Sequence, residues 1–199
     1  MQEVVHEFRL WRKDIGVALV AVLAIVLGLL LRYQVESRVT TYQDPNSGFS
    51  ITYPVTWGSV TSLQNALLKV EDPLTDSTYK TNLSISQRDL DPSSPPTLQT
   101  LMDRRVAQQS ALTSYHFLAN RDAVVDGAKG MELEYAYTVQ PIDQPRRASL
   151  PVVVHAREYL VVTASQAFYI TLAAPESDYD RASAKFDGIV KSIKLQGAR

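Results

Sequence analysis

Seventeen consecutive apolar or glycine residues, "IGVALVAVLAIVLGLLL" from Ile15 to Leu31, carry no charge and mark a segment suited to a lipid bilayer. As a helix rising about 1.5 Å per residue the run spans roughly 25 Å, near the minimum for a hydrocarbon core of about 30 Å. Trp11 and Tyr33 flank it where amphipathic rings favour the two interfaces. Lys13 and Arg32 can extend outward and close the small length deficit. A cleaved signal peptide is the competing reading. The run is longer than a usual signal core, and "LRYQVESRVTTY" offers no small-x-small cleavage pattern, so an uncleaved anchor is expected. Arg9, Arg12 and Lys13 precede the helix while Arg32 and Arg38 follow it, a bias towards a cytoplasmic N-terminus and an extracytoplasmic, periplasmic C-terminal part. Ala21, Ala24 and Gly28 recur at spacings of three and four and form a candidate helix-packing face. Such small pairs are common in any membrane helix, so a partner helix and a bare anchor both stay open on this feature.

The 199 residues fit one domain plus an anchor. The expected division is an N-terminal segment at 1–14, a transmembrane helix at 15–31, a short polar linker at 32–39 and a domain at 40–199. From Thr40 onward the chain carries 15 Lys/Arg against 17 Asp/Glu, a balance of −2 that excludes the clustered basic surface a nucleic-acid binder needs. The absence of cysteine removes disulfides, thiolate metal sites, a thiol nucleophile and an N-terminal lipidated Cys together.

Beyond the anchor the chain alternates. "DPNSG" at 44–48 predicts a hairpin between Val39–Gln43 and Phe49–Tyr53. A second strand pair is expected at Ala66–Glu71 and Asn82–Arg88. "DLDPSSPPT" then starts a helix with Ser94 as N-cap and Leu98, Leu101, Met102, Val106 and Gln109 on one face. Strands resume at Tyr115–Val125 and Gly130–Val139 around "DGAKG", and again at Val152–Thr163 and Ala167–Ala173 around "ASQ". Tyr179, Ala182, Phe186, Ile189, Val190 and Ile193 predict a closing amphipathic helix, capped by Ser177, with Lys191 and Lys194 at its C-terminal dipole and Gly197 ending it. A mostly antiparallel sheet flanked by helices is an α+β domain.

Gly48-Phe49-Ser50-Ile51-Thr52-Tyr53-Pro54 with Trp57, the mid-chain helix, the long strands and the final "SDYDRASAKFDGIVKSIKL" together resemble the PsbP-like fold family over about residues 40–195. That family is named for an extrinsic subunit of photosystem II. The resemblance implies a non-enzymatic interaction module of a photosynthetic or envelope compartment. The retained membrane helix departs from the plant protein, so no calcium, chloride or metal site is carried over.

A search for chemistry finds little. His6, His116 and His155 have no second histidine or carboxylate at ligand spacing, and His116 and His155 read as structural residues. There is no Gly-x-Ser-x-Gly elbow and no glycine-rich phosphate loop. Glu132 and Glu134 read as the wet face of a sheet, Asp89 and Asp91 as loop formers, and Asp178 and Asp180 as first-turn helix acids. Trp57 is expected in the core. Arg146 and Arg147, in a proline-flanked loop, form a candidate docking loop for an acidic partner or lipid headgroups. No catalytic, cofactor-binding or metal residue can be named, and no cofactor is expected. The leading expectation is a non-catalytic accessory subunit of a larger membrane complex of photosynthetic or respiratory electron transfer. Its partners would be integral membrane subunits and the lipid bilayer, with no nucleic acid. The alternative is an independent membrane-tethered envelope module binding a lipid, sugar or peptide. An extracytoplasmic hydrolase comes last, for want of a nucleophile and base.

Overall fold

The computed structural model describes residues 12–60, 66–140 and 150–195. It resolves into two units, Met1–Arg38 and Val39–Arg199. The first is the helix α1, Arg12–Glu36. The segment expected as a linker therefore continues the helix through Glu36, because Arg32 to Glu36 contains good helix formers and neither Gly nor Pro. Ser37 and Arg38 close it by donating to the carbonyls of Tyr33 and Val35. The apolar stretch now covers Ile15–Val35, about 31 Å of helix, which matches a bilayer core without a deficit. Its large apolar side chains, Leu19, Leu23, Leu27 and Leu30 among them, are exposed.

The second unit is an α+β domain. The first hairpin forms as expected, β1 (Val39–Gln43) with β2 (Ser50–Pro54), and its turn is held by Asp44 accepting from Ser47 N–H at 2.8 Å. The remaining strands make one antiparallel sheet: β3 (Gly58–Ser59), β4 (Ala66–Glu71), β5 (Asn82–Asp89), β6 (His116–Val125), β7 (Ala128–Val139), β8 (Val152–Val162) and β9 (Gln166–Pro175). Their order is β3-β4-β5-β9-β8-β7-β6. Between β6 and β7 the turn is only Asp126–Gly127, both at positive φ (48° and 81°), the two-residue form that an Asp-Gly pair favours. Ala128 to Gly130 thus belong to β7 rather than to the turn. Gly130 has a steric reason to be glycine: a Cβ there would lie 2.5 Å from the Leu160 carbonyl oxygen on β8.

One helix covers each face. On one side α2 (Leu98–Gln109) buries Leu101 and Met102 against Leu133, Tyr135, Leu160 and Tyr169. On the other, α3 (Tyr179–Lys191) and the β1–β2 hairpin enclose Phe49, Ile51, Phe168, Ile170, Phe186 and Ile189. Trp57 lies in this second core at 4 % exposure, as expected. Phe49 stacks on Phe168 with ring centres 5.0 Å apart, so the Gly48-Phe49 motif supplies the hairpin's anchor.

Both helix caps differ from expectation. The N-cap of α2 is Thr97, whose hydroxyl accepts from Thr100 N–H at 3.1 Å. Ser94 cannot serve because Pro95 and Pro96 push the residues before them out of helical conformation. Before α3, Glu176–Asp178 form a short 3₁₀ turn, so Ser177 lies inside it and Asp178 takes the capping position without a side-chain cap bond. The helix stops at Lys191, and Lys194 instead pairs with Asp126 at 3.0 Å. Gly197 lies outside the described residues.

Candidate functional site

Strands β7 and β8 alternate their side chains between the two faces, and this places polar groups in both cores. On the α2 side Glu158 is 1 % exposed. Arg105 reaches it from α2 with two bonds, Nε to Oε1 at 2.6 Å and Nη2 to Oε2 at 3.0 Å. The Thr171 hydroxyl donates to the same carboxylate at 3.0 Å. Burial raises the Tyr135 phenol's pKa, and the Glu158 charge nearby raises it further. This is a fork-to-fork pair, the geometry that makes arginine suited to a buried carboxylate.

On the α3 side the reading of Glu132 and Glu134 as a wet face is overturned. Helix α3 packs over them, so Glu132 is 9 % exposed. Arg157 Nε donates to Glu132 at 3.0 Å, its Nη2 reaches Asp187 on α3 at 2.8 Å, and its Nη1 donates to the Ser183 hydroxyl at 3.0 Å. Burial opposes the Arg157 charge, but Tyr159, Glu132 and Asp187 outweigh it and hold the guanidinium firmly protonated. Arg121 on β6 adds a contact to Glu134 at 2.7 Å. The Tyr179 hydroxyl donates to Glu134 at 2.8 Å, and burial together with this carboxylate pushes the phenol's pKa up.

His155 stacks on Tyr179 at 3.6 Å between ring centres. Its two nitrogens lie 3.3 Å from Glu134 and 3.3 Å from Glu176. Neither of these carboxylates is near His155 in sequence, because both arrive from other elements. Chemically the cluster is a cross-link between sheet and helix. Ser183 faces a guanidinium donor rather than a base, and no group of three His, Asp or Glu among the described residues could hold a metal.

The remaining expected positions separate. His116 is exposed at the head of β6, and Asp91 forms a turn by accepting from Ser93 N–H at 2.9 Å. Asp178 and Asp180 lie at the start of α3 as expected. Ala21, Ala24 and Gly28 share one face of α1, where a Cβ on Gly28 would meet nothing within 4 Å. Arg146, Arg147 and His6 lie outside the described residues. Sequence reasoning missed Arg105, Glu158 and Arg157. The available signal was Glu158 itself, in step with Val154, Ala156 and Leu160 on an inward-facing row. It also missed a cleft of about 290 Å³ where the end of β5 meets α2, lined by Arg88, Asp89, Asp91 and Arg104.

The PsbP family model matches residues 37–195, four-fifths of the chain. No curated protein sequence matches. Among solved structures the domain is similar to cyanobacterial PsbP (CyanoP) from Synechocystis sp. PCC 6803, with TM-score 0.58 and 15 % identity over 79 % of this chain and 92 % of that one. It is also similar to LpqN of Mycobacterium tuberculosis, described as involved in cell envelope biogenesis (TM-score 0.57, 10 % identity, 79 % and 90 % covered). A third is PA94 of Pseudomonas aeruginosa, a protein of unknown function described as a putative regulator (TM-score 0.52, 12 % identity, 80 % and 99 % covered). At these identities the likeness speaks for the fold alone.

Proposed function

The chain belongs to the PsbP family through residues 37–195, and from that premise we propose a non-catalytic accessory subunit held in the membrane by α1. The observation that carries this reading is the 21-residue segment Ile15–Val35 of α1, long and apolar enough to cross a membrane, followed in sequence after Ser37 and Arg38 by β1. Exposed apolar surface on that scale is stable only in lipid or against another protein. The domain would lie on the extracytoplasmic side, in line with the excess of Arg and Lys before the helix. Its strongest polar groups are engaged in pairing sheet to helix, which supports an interaction role over catalysis. Membership of a family named for a photosystem II subunit supports a photosynthetic or respiratory electron-transfer complex as host. Anchoring raises the domain's local concentration at its binding surface, so a weak intrinsic contact suffices. Ala21, Ala24 and Gly28 would seat a neighbouring helix, and Arg146 and Arg147 would dock on an acidic surface or headgroups.

The test is extraction of native membranes in a mild detergent, capture through a C-terminal tag, and mass spectrometry of the co-purified subunits. Stoichiometric recovery with integral redox subunits is expected, and Ala24→Leu or Gly28→Leu should cut it severalfold. Full recovery with either variant would remove the helix-packing role. Isolation of the chain alone, where known complexes stay intact, would overturn the accessory role in favour of an independent tethered envelope module.

A further inference from the structure

The cleft between the end of β5 and α2 holds four charges, Arg88, Asp89, Asp91 and Arg104, over a floor that includes Leu90 and Pro96. Two of each sign share about 290 Å³, close to the lower end of small-molecule pockets. Opposite charges at such proximity usually pair. Here no carboxylate lies within 4 Å of either guanidinium among the described residues, although eight other arginine, lysine and histidine side chains of the domain do find such partners. Each acid is instead turned to a neutral donor. Asp89 accepts from Gln166 Nε2 at 3.1 Å, and Asp91 accepts from the Ser93 amide and hydroxyl at 2.9 and 2.6 Å.

The charges of both guanidiniums are felt by Tyr169 on β9. Burial raises the Tyr169 phenol's pKa, and Arg105, Arg88 and Arg104 each oppose that rise. Arg105 is neutralised by Glu158, whereas Arg88 and Arg104 are left with unused donors. An oxyanion is the group that satisfies them, since a guanidinium fork binds carboxylate or phosphate with two parallel bonds. A dianion would meet Asp89 and Asp91 in the same cleft. A ligand carrying one negative charge and an N–H-bearing cation answers both signs.

We propose that this cleft binds a small zwitterion, an ethanolamine phosphodiester, with its phosphate on Arg88 and Arg104 and its ammonium on Asp91. The same chemistry comes as a free phosphodiester or as a lipid headgroup. The proposal does not depend on the accessory-subunit reading.

The experiment is hydrogen–deuterium exchange on the full chain, reading the segment from 88 to 104. In one arm the protein is in maltoside micelles and the probe is soluble glycerophosphoethanolamine. In the other it is reconstituted into phosphatidylcholine bilayers with or without phosphatidylethanolamine. Slowed exchange in the first arm supports a free ligand, and slowing only on adding phosphatidylethanolamine supports a headgroup. In either case Arg88→Gln/Arg104→Gln should weaken the response at least tenfold, because two charge-assisted bonds are lost. Glycerophosphocholine, whose cation has no N–H, should bind less well than glycerophosphoethanolamine. Both arginines are exposed and have no ion-pair partner among the described residues, so an unchanged thermal midpoint of the double variant checks that the fold survives. No slowing in either arm, slowing that persists in the double variant, or an equal response to inorganic phosphate would overturn the proposal.

Discussion

Removing Arg105 tests whether the Glu158 pair is as dry as its geometry implies. Glu158 Oε1 accepts from Arg105 Nε at 2.6 Å, while Oε2 also has the Thr171 hydroxyl. Arg105→Met keeps much of the side-chain volume over Tyr169, whose ring lies 5.1 Å from the guanidinium, but strips Oε1 of its donor. Breaking a buried pair by deleting one partner costs about 3–5 kcal/mol, because the surviving charge is left in a poor solvent. The Arg105 side chain is 22 % exposed, which admits some water and favours the lower figure, about 3 kcal/mol. Against a total stability of roughly 5–15 kcal/mol this is a large fraction. It corresponds to a midpoint drop of roughly 6–12 °C for a domain of this size. The assay is urea and thermal unfolding of the full chain carrying Trp11→Phe in maltoside micelles, followed by fluorescence of Trp57, which reports the core. Arg105→Met/Glu158→Leu should recover part of the loss, since two apolar side chains need no pairing. A single variant within about 0.5 kcal/mol of the parent would mean that water reaches Glu158 and that the pair is a surface bridge.

Gly130→Ala should destabilise by at least about 2 kcal/mol in the same unfolding assay, because its Cβ would lie 2.5 Å from a backbone oxygen that cannot move without breaking the β7–β8 ladder. A loss below about 0.5 kcal/mol would show that the two strands can part there. Asp126 has its carboxyl pKa lowered by the Leu195 amide and then by Lys194. Its contribution is therefore fully present above the ordinary carboxylate range near pH 4 and fades as the pH falls through the depressed value. Asp126→Asn should flatten the acid limb of stability against pH, and an unchanged limb would remove the clamp between this turn and the segment after α3.

Local signals were sufficient wherever a residue's role depends on its neighbours in sequence. The hairpin around Gly48, the Asp126–Gly127 turn and the Tyr179–Ile189 stripe of α3 all follow from turn chemistry and periodicity, and each stands close to its expected place. The caps were harder, because Ser94 and Thr97 both suit an N-cap and only the two intervening prolines choose between them. Glu132 and Glu134 misled for a different reason. Alternation shows that they share a face but not whether that face is covered, and α3 arrives over it from more than forty residues further along. The charged cleft was illegible because Arg88 and Arg104 come from a strand and a helix separated by a proline-rich turn.

By itself, then, the amino-acid order determined the long apolar helix, the alternation of strands, the two amphipathic helices and the family resemblance. Each of these rests on periodicity within a few residues, where backbone geometry sets which side chains share a face. Tertiary structure alone decided which faces are dry. It joined Arg105 to Glu158 and Arg157 to both Glu132 and Asp187, and among the described residues it left the four charges of the β5–α2 cleft without an ion-pair partner. A charged side chain's behaviour is set by the dielectric and donors around it, and those come from elements distant in sequence.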